Sequence, residues 1–90
     1  MSPGVFYSQA VPIIKEIKGR ERIAKQLESI FKIHLQDLEK LTLLDIGCST
    51  GIITYYLSKY FKKAVGIDID KIAIRQAQKR YRKKNLEFLL

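Results

Sequence analysis

The residues best suited to chemistry lie in Leu43-Leu44-Asp45-Ile46-Gly47-Cys48-Ser49-Thr50-Gly51, and in Asp68, which follows Gly47 by 21 positions. Gly47 permits a sharp backbone turn and lets a ligand approach where a Cβ would otherwise stand. Gly51 allows close packing where a helix starts. Ser49 or Thr50 is of a type that caps such a helix, whose free N–H groups favour a ligand carboxylate or phosphate. A carboxylate at position 68 is able to accept two hydrogen bonds from the vicinal hydroxyls of a ribose. Plainer readings stand beside these: Asp45 and Asp68 as loop caps, and the glycines as parts of an ordinary tight turn. Cys48 reads as a small loop residue rather than a nucleophile, because no histidine stands near it in sequence to raise its thiolate character.

Three kinds of phosphate- or adenosine-binding loop share this layout. The nucleotide-binding P-loop needs a lysine directly after its last glycine. Here Ile52 stands five positions past Gly47, and no lysine follows until Lys59, so that reading fails. The dinucleotide fingerprint G-x-G-x-x-G is weak, because Ser49 and Ile52 occupy two of its three glycine positions.

The elements around the loop set its orientation. Residues 1–10 carry no period, and the expectation is an N-terminal segment over 1–18. In it Pro12 opens a short helix that ends near Gly19. A long amphipathic helix follows over 20–39, with Ile23, Leu27, Ile30, Leu35 and Leu38 on roughly one face. Phe31 and His34 flank that stripe. Leu41 to Ile46 reads as a strand buried on both faces, of the kind found in parallel sheets. Then come a helix from about Gly51 to Phe61 and a second buried strand, Ala64 to Asp68. A third helix runs over 71–84, capped by Asp70, with Ile74, Ala77 and Tyr81 inward. Asn85 suits a left-handed stop, and Leu86 to Leu90 opens a third strand. Strand-helix-strand-helix-strand is a parallel α/β arrangement with right-handed crossovers, which puts both crossover helices on one face. Both the loop and Asp68 then lie at the carboxyl ends of the strands, where open α/β sheets bind ligands.

Composition sets further bounds. Ninety residues with 47 % apolar content make at most one small domain, neither disordered nor fibrous. Of the net charge of +8, the half from residue 41 onward carries 10 basic and 4 acidic side chains, hence +6. Lys79, Arg80, Arg82, Lys83 and Lys84 form a cluster able to attract anions, or simply a solvated helix end that complements the dipole. One cysteine excludes an intrachain disulfide and fits a reducing, cytoplasmic setting. Neither a secretory signal nor an 18-residue apolar run is present.

Asp45-Ile46-Gly47-Cys48-Ser49-Thr50-Gly51 resembles motif I of the class I S-adenosylmethionine-dependent methyltransferases, usually [DE]-x-G-x-G-x-G. Val65-Gly66-Ile67-Asp68-Ile69-Asp70 resembles the strand-end motif that follows it. The likeness covers about residues 41–90, and Ser49 departs from the glycine more usual there. It implies a Rossmann-like three-layer α/β methyltransferase fold, incomplete here, with N-terminal helices followed by β-α-β-α-β. It also implies S-adenosylmethionine as cofactor, held by Asp45, Gly47, Cys48, Ser49, Gly51, Asp68 and Ile69. In that scheme Asp45 organises the glycine loop near the methionine end, and the backbone of Gly47, Ser49 and Gly51 curves beneath the cofactor. Asp68 holds the ribose hydroxyls, and Ile69 packs on the adenine. Tyr7 is a possible cover from the N-terminal segment, or simply a surface residue. No catalytic residue and no metal ligand is expected, since the family's acceptor-binding residues, fourth-strand motif and adenine-recognising acid come later in the chain.

The family sheet has seven strands, with the fourth beside the first. The expectation is therefore a fragment of a larger domain, whose first strand is an unprotected apolar edge. Leu43, Leu44, Ile46, Val65, Ile67, Phe88 and Leu90 are too many for three helices on one side to hide, which predicts self-association. Two other functions compete with the methyltransferase reading. One is a nucleic-acid-binding module acting through the basic cluster; the other is a nucleotide-cofactor-binding module without methyl transfer.

Overall fold

In the computed structural model, which describes residues 13–90 and side chains from Lys18 onward, the three apolar runs pair into one parallel sheet. Its strands are Thr42–Ile46 (β1), Lys63–Ile67 (β2) and Leu86–Leu89 (β3), in the order β1-β2-β3. The register places Asp45 beside Gly66 and Ile46 beside Ile67, with Leu89 opposite Ile67 on the far side. Side chains alternate along each strand, so Leu43, Asp45, Ala64, Gly66, Leu86 and Phe88 share one face. Leu44, Ile46, Val65, Ile67 and Leu89 share the other.

The first face is covered by Ile52–Ser58 (α2) and Lys71–Arg80 (α3), which follow β1 and β2. Ala64, Gly66 and Phe88 are buried there, and Cys48, Ile74, Ala77 and Phe88 form a core cluster with Tyr81 and Leu86 at its margin. Tyr55 of α2 and Tyr81, just past α3, stack at 4.4 Å between centroids and join the two helices. The second face has no such cover: Leu44 is 56 % and Ile46 74 % exposed. The expected shortage of covering helices is thus present among the described residues. None of the helices there is long and apolar enough to cross a membrane.

Several local expectations are corrected. Pro12, Tyr7 and residues 1–10 lie outside the described residues. The predicted break at Gly19 does not occur, because one helix, Ile13–His34 (α1), passes straight through it; a single interior glycine costs only about 1 kcal/mol. The helix ends at His34 rather than near 39. Asp37 then reverses the backbone at φ 53°, and Leu38–Lys40 forms a short 3-10 turn. Of the predicted stripe, Ile23, Ile30 and Leu35 are exposed, Leu27 and Leu38 are half-buried, and Leu35 and Leu38 lie past the end of α1. Ala24 is buried, while Leu27, Glu28 and Phe31 are half-buried. Phe31 meets Phe61 edge-on at 5.8 Å. Glu28 Oε1 accepts the hydroxyls of Tyr60 at 2.6 Å and Tyr56 at 3.2 Å. Two tyrosine hydroxyls on α2 and its C-terminal turn need an acceptor, and that puts an acid on the face an apolar pattern assigns to leucine.

Asp70 caps α3 as expected, accepting from the Ile72 and Ala73 N–H groups at 3.1 Å. That helix stops at Arg80, four residues early, where Tyr81 turns extended to stack on Tyr55. Asn85 therefore provides no left-handed stop. Its amide instead donates to the carbonyls of Ser58 and Phe61, at 2.8 and 3.2 Å, and satisfies acceptors left open at the end of α2.

Two outcomes are expected. Gly51 has φ +84°, and a Cβ there would stand 2.5 Å from Phe88 Cζ and 3.0 Å from Ala77 Cβ. Gly51→Ala should lose about 3 kcal/mol in urea denaturation, from overpacking and the left-handed backbone together; a loss under about 1 kcal/mol would contradict the packing of Phe88. The Glu28 cluster sets a pH window for the docking of α1. Hydrogen bonds from Tyr60 hold the Glu28 carboxyl below its ordinary 4.5, against some desolvation. The same bond, with desolvation, pushes Tyr60 up to about 12 from 10.0. Stability from the lowered acid is present above 4.5 and fades as pH falls through the depressed value. Stability from the raised phenol is present below 10 and fades as pH climbs toward about 12. Tyr60→Phe should lower the thermal midpoint at neutral pH and flatten both limbs of its pH profile, as followed by circular dichroism.

Candidate functional site

β1 runs into Gly47 because a glycine at φ +77° can turn the chain at the sheet's carboxyl edge. The Gly47 and Cys48 N–H groups both donate to the Ile67 carbonyl, at 2.8 and 2.9 Å, so the loop folds back over the tip of β2. Cys48 turns its side chain down into the core. Ser49 then takes φ +53°, a left-handed conformation in a residue with a Cβ. Gly51 follows at φ +84°, and its N–H donates to the Cys48 carbonyl at 3.0 Å. The N-cap position of α2 is taken by Gly51, one or two residues past the Ser49 or Thr50 expected there.

Asp68 stands at the centre of this arrangement. Its Oδ2 accepts the Ser49 N–H at 2.8 Å, and its Oδ1 accepts the Asp70 N–H at 2.9 Å. One carboxylate thereby ties the loop after β1 to the turn that begins α3. Each oxygen keeps a second acceptor position. Loop and carboxylate, 19 residues apart, are thus brought into direct contact.

Asp45 has a different partner. Its Oδ2 accepts the Thr54 hydroxyl at 2.7 Å, fixing α2 against the end of β1. Burial raises its carboxyl above the usual range, opposed by the Thr54 bond and the charge of Arg20 and assisted by the charge of Asp68. The loop backbone is gripped by Asp68, then, while Asp45 positions the helix. Thr54 was not singled out in the sequence; a fully buried threonine inside a helix announces itself only once its partner is known.

The Cys48 thiol is pushed up to about 12, first by burial and then by the carboxylates of Asp45 and Asp68. A thiol so held does not act as a nucleophile near neutral pH, as expected. Its burial requires a second residue that the sequence did not flag by size. A Cβ on Gly66 would stand 2.9 Å from Cys48 Cβ and Sγ and 2.9 Å from the Phe88 ring.

A cavity of about 410 Å³ opens at the strand tips, lined by Ile46, Gly47, Ile67, Asp68, Ile69 and Leu90. Its walls are apolar except for one carboxylate, the pattern of a small-molecule site whose polar group orients the ligand. Of the seven expected binding residues, Gly47, Asp68 and Ile69 line it. Ser49 is held at its border by Asp68. Gly51 and Cys48 act from below, and Asp45 from the side. A Cβ on Gly47 would meet no atom within 4 Å, so the space beside the loop is open to a ligand. A mostly apolar pocket with one hydrogen-bonding carboxylate can take a small ligand that has a flat apolar part beside hydroxyl groups.

The family described as "Methyltransferase domain" matches residues 43–90. Malonyl-[acyl-carrier protein] O-methyltransferase of Bacillus cereus is 32 % identical over 85 residues, covering 92 % of this chain and 32 % of the relative. Among solved structures, a SAM-dependent methyltransferase from Anabaena variabilis superposes with TM-score 0.59 at 28 % identity, over 71 % of this chain and 26 % of that one. Magnesium protoporphyrin IX methyltransferase from Synechocystis shares the fold, with TM-score 0.60 at 17 % identity over 99 % of this chain and 41 % of that one. The chain spans about a third of the length of the curated relative it matches. With both motifs folded into one strand-tip pocket and more than half its residues matched, the chain belongs to the methyltransferase domain family.

Proposed function

We propose that this chain is the S-adenosylmethionine-binding part of a methyltransferase. The observation that carries the proposal is the contact between Asp68 and the Ser49 N–H at the mouth of the strand-tip cavity. It presents a carboxylate with spare acceptor positions beside a loop whose backbone leaves room for a ligand. Ile69, 75 % exposed beside Asp68, offers an apolar surface for an adenine. Gly47 and Ser49 border the ligand with their backbone. Asp45, Cys48 and Gly51 hold that backbone in place through Thr54, the core and Phe88.

When bound, S-adenosylmethionine supplies an electrophilic methyl group on a sulfonium. What these residues do is bind and orient: they hold the ribose and base and fix the direction in which the rest of the ligand leaves the pocket. Geometry of this kind contributes to an in-line displacement by positioning, without proton transfer. A reduced, buried Cys48 suits placement in the cytoplasm. The bare β1 edge and the apolar second face support association of the chain with itself.

Isothermal calorimetry with S-adenosylhomocysteine should give saturable heat for the folded chain. Asp68→Asn should weaken binding by about tenfold or more, since bonds to a charged acceptor contribute about 1.5–3 kcal/mol each. Removing the ribose hydroxyls from the ligand should cost affinity in the native chain and much less in that variant. No heat at millimolar ligand, with circular dichroism showing a folded chain, would remove the proposal. Light scattering should show dimers or larger species; a compact monomer with little dye-accessible apolar surface would overturn the self-association.

A further inference from the structure

The basic cluster takes a definite shape in the fold. Two hollows lie side by side between α3 and the free edge of β3. One, of about 660 Å³, is bordered by Arg82, Lys83 and Lys84; the other, of about 350 Å³, by Lys71 and Arg75. They share Gln78, Phe88 and Leu89, and so form one groove. At its far end Leu90 lines both this groove and the strand-tip cavity. The floor is apolar and the rim cationic.

The rim charges are largely uncompensated. None of the ion pairs among the described residues involves Lys71, Arg75, Arg82 or Lys84. The one carboxylate lining the groove, Glu87, is paired with Lys63 at 3.4 Å. Lys83 is tethered, donating to Ser58 Oγ at 2.9 Å and lying 5.7 Å from the Tyr55 ring centroid. It holds the connector in place, which leaves the neighbouring Arg82 and Lys84 to face a ligand. Along α3, Lys71 and Arg75 stand one turn apart, about 6 Å, on the side that faces the groove.

An extended polyanion fits this rim, and the edge of β3 distinguishes two kinds. Carbonyls of Asn85 and Leu89 bond to β2, so by alternation the Phe88 carbonyl looks outward. Gln78 Nε2 already occupies it at 2.9 Å. An acidic peptide adding as a strand there would have to share that carbonyl with Gln78, using only its second lone pair. A nucleic acid needs no backbone pairing: its phosphates take the cations, and its bases have an apolar floor beside Tyr81. We infer that the groove between α3 and β3 binds single-stranded nucleic acid through its phosphates and guides it toward the strand-tip cavity. This inference is independent of cofactor binding, because the groove needs no ligand at Asp68 to form.

The test is fluorescence anisotropy of a labelled 20-nucleotide U-tract RNA with the whole chain, over a KCl series and without S-adenosylmethionine. Binding should weaken with salt at a log–log slope of about −3, as expected for roughly four neutralised phosphates on a single strand. Arg82→Glu with Lys84→Glu should weaken binding about tenfold or more and make the slope shallower by about 1 to 2. Lys25→Glu, on the outer side of α1, should change it less than about twofold. In the native chain the RNA should also protect Lys71 and Lys84, but not Lys25 or Lys40, from acetylation read by mass spectrometry; this holds whether or not the double variant folds. Four results would overturn the inference: no salt-dependent binding, an equal loss in Lys25→Glu, protection of the α1 lysines instead, or displacement of the RNA by polyglutamate at lower charge concentration.

Discussion

The carboxylate of Asp68 is the constraint on which the ligand end of this molecule depends. It accepts one N–H from the loop after β1 and another from the turn before α3. Without it, the two adjacent strand-to-helix connections would be joined only through the Ile67 carbonyl, which accepts from Gly47 and Cys48. With it, they move as one body, and the cavity at the strand tips has fixed walls. A residue read from sequence as a ligand contact is thus also a structural clamp. The two roles are compatible because a carboxylate has about four acceptor positions and the backbone takes only two.

Much of this was legible in the chain. Three short apolar runs, the first two stopped at Gly47 and Asp68, match strands to within a residue or two, and the parallel order follows from the intervening helical segments. The loop and Asp68 were recognisable by spacing and lie in contact. The inner face of α1 was not legible, because periodicity weighs only apolar side chains while Glu28 is drawn inward by two tyrosine hydroxyls. Thr54 and Gly66 escaped notice for a related reason: their importance lies in one partner each, Asp45 and Cys48, on a different element. The end of α3 was misplaced because a ring stack, Tyr55 on Tyr81, outweighed the helical propensity of the residues from 81 to 84.

Ser49 illustrates how a departure from a family pattern reads physically. The position has φ +53°, where a side chain is strained by roughly 1–2 kcal/mol. A glycine would relieve that strain at the cost of a more flexible unfolded chain. The hydrogen bond from the Ser49 N–H to Asp68 holds the backbone in the strained well. The loop therefore has its shape imposed by a neighbouring strand rather than by its own preferences.

The empty position beside the Gly66 α-carbon carries a consequence for how such chains diverge. The Cys48 sulfur fills the volume that any larger residue at 66 would claim, and the Phe88 ring closes the remainder. Three residues from three separate segments share one fixed volume. Drift at any of them is admissible only when another shrinks or grows to match, so across descendants their sizes should vary in concert.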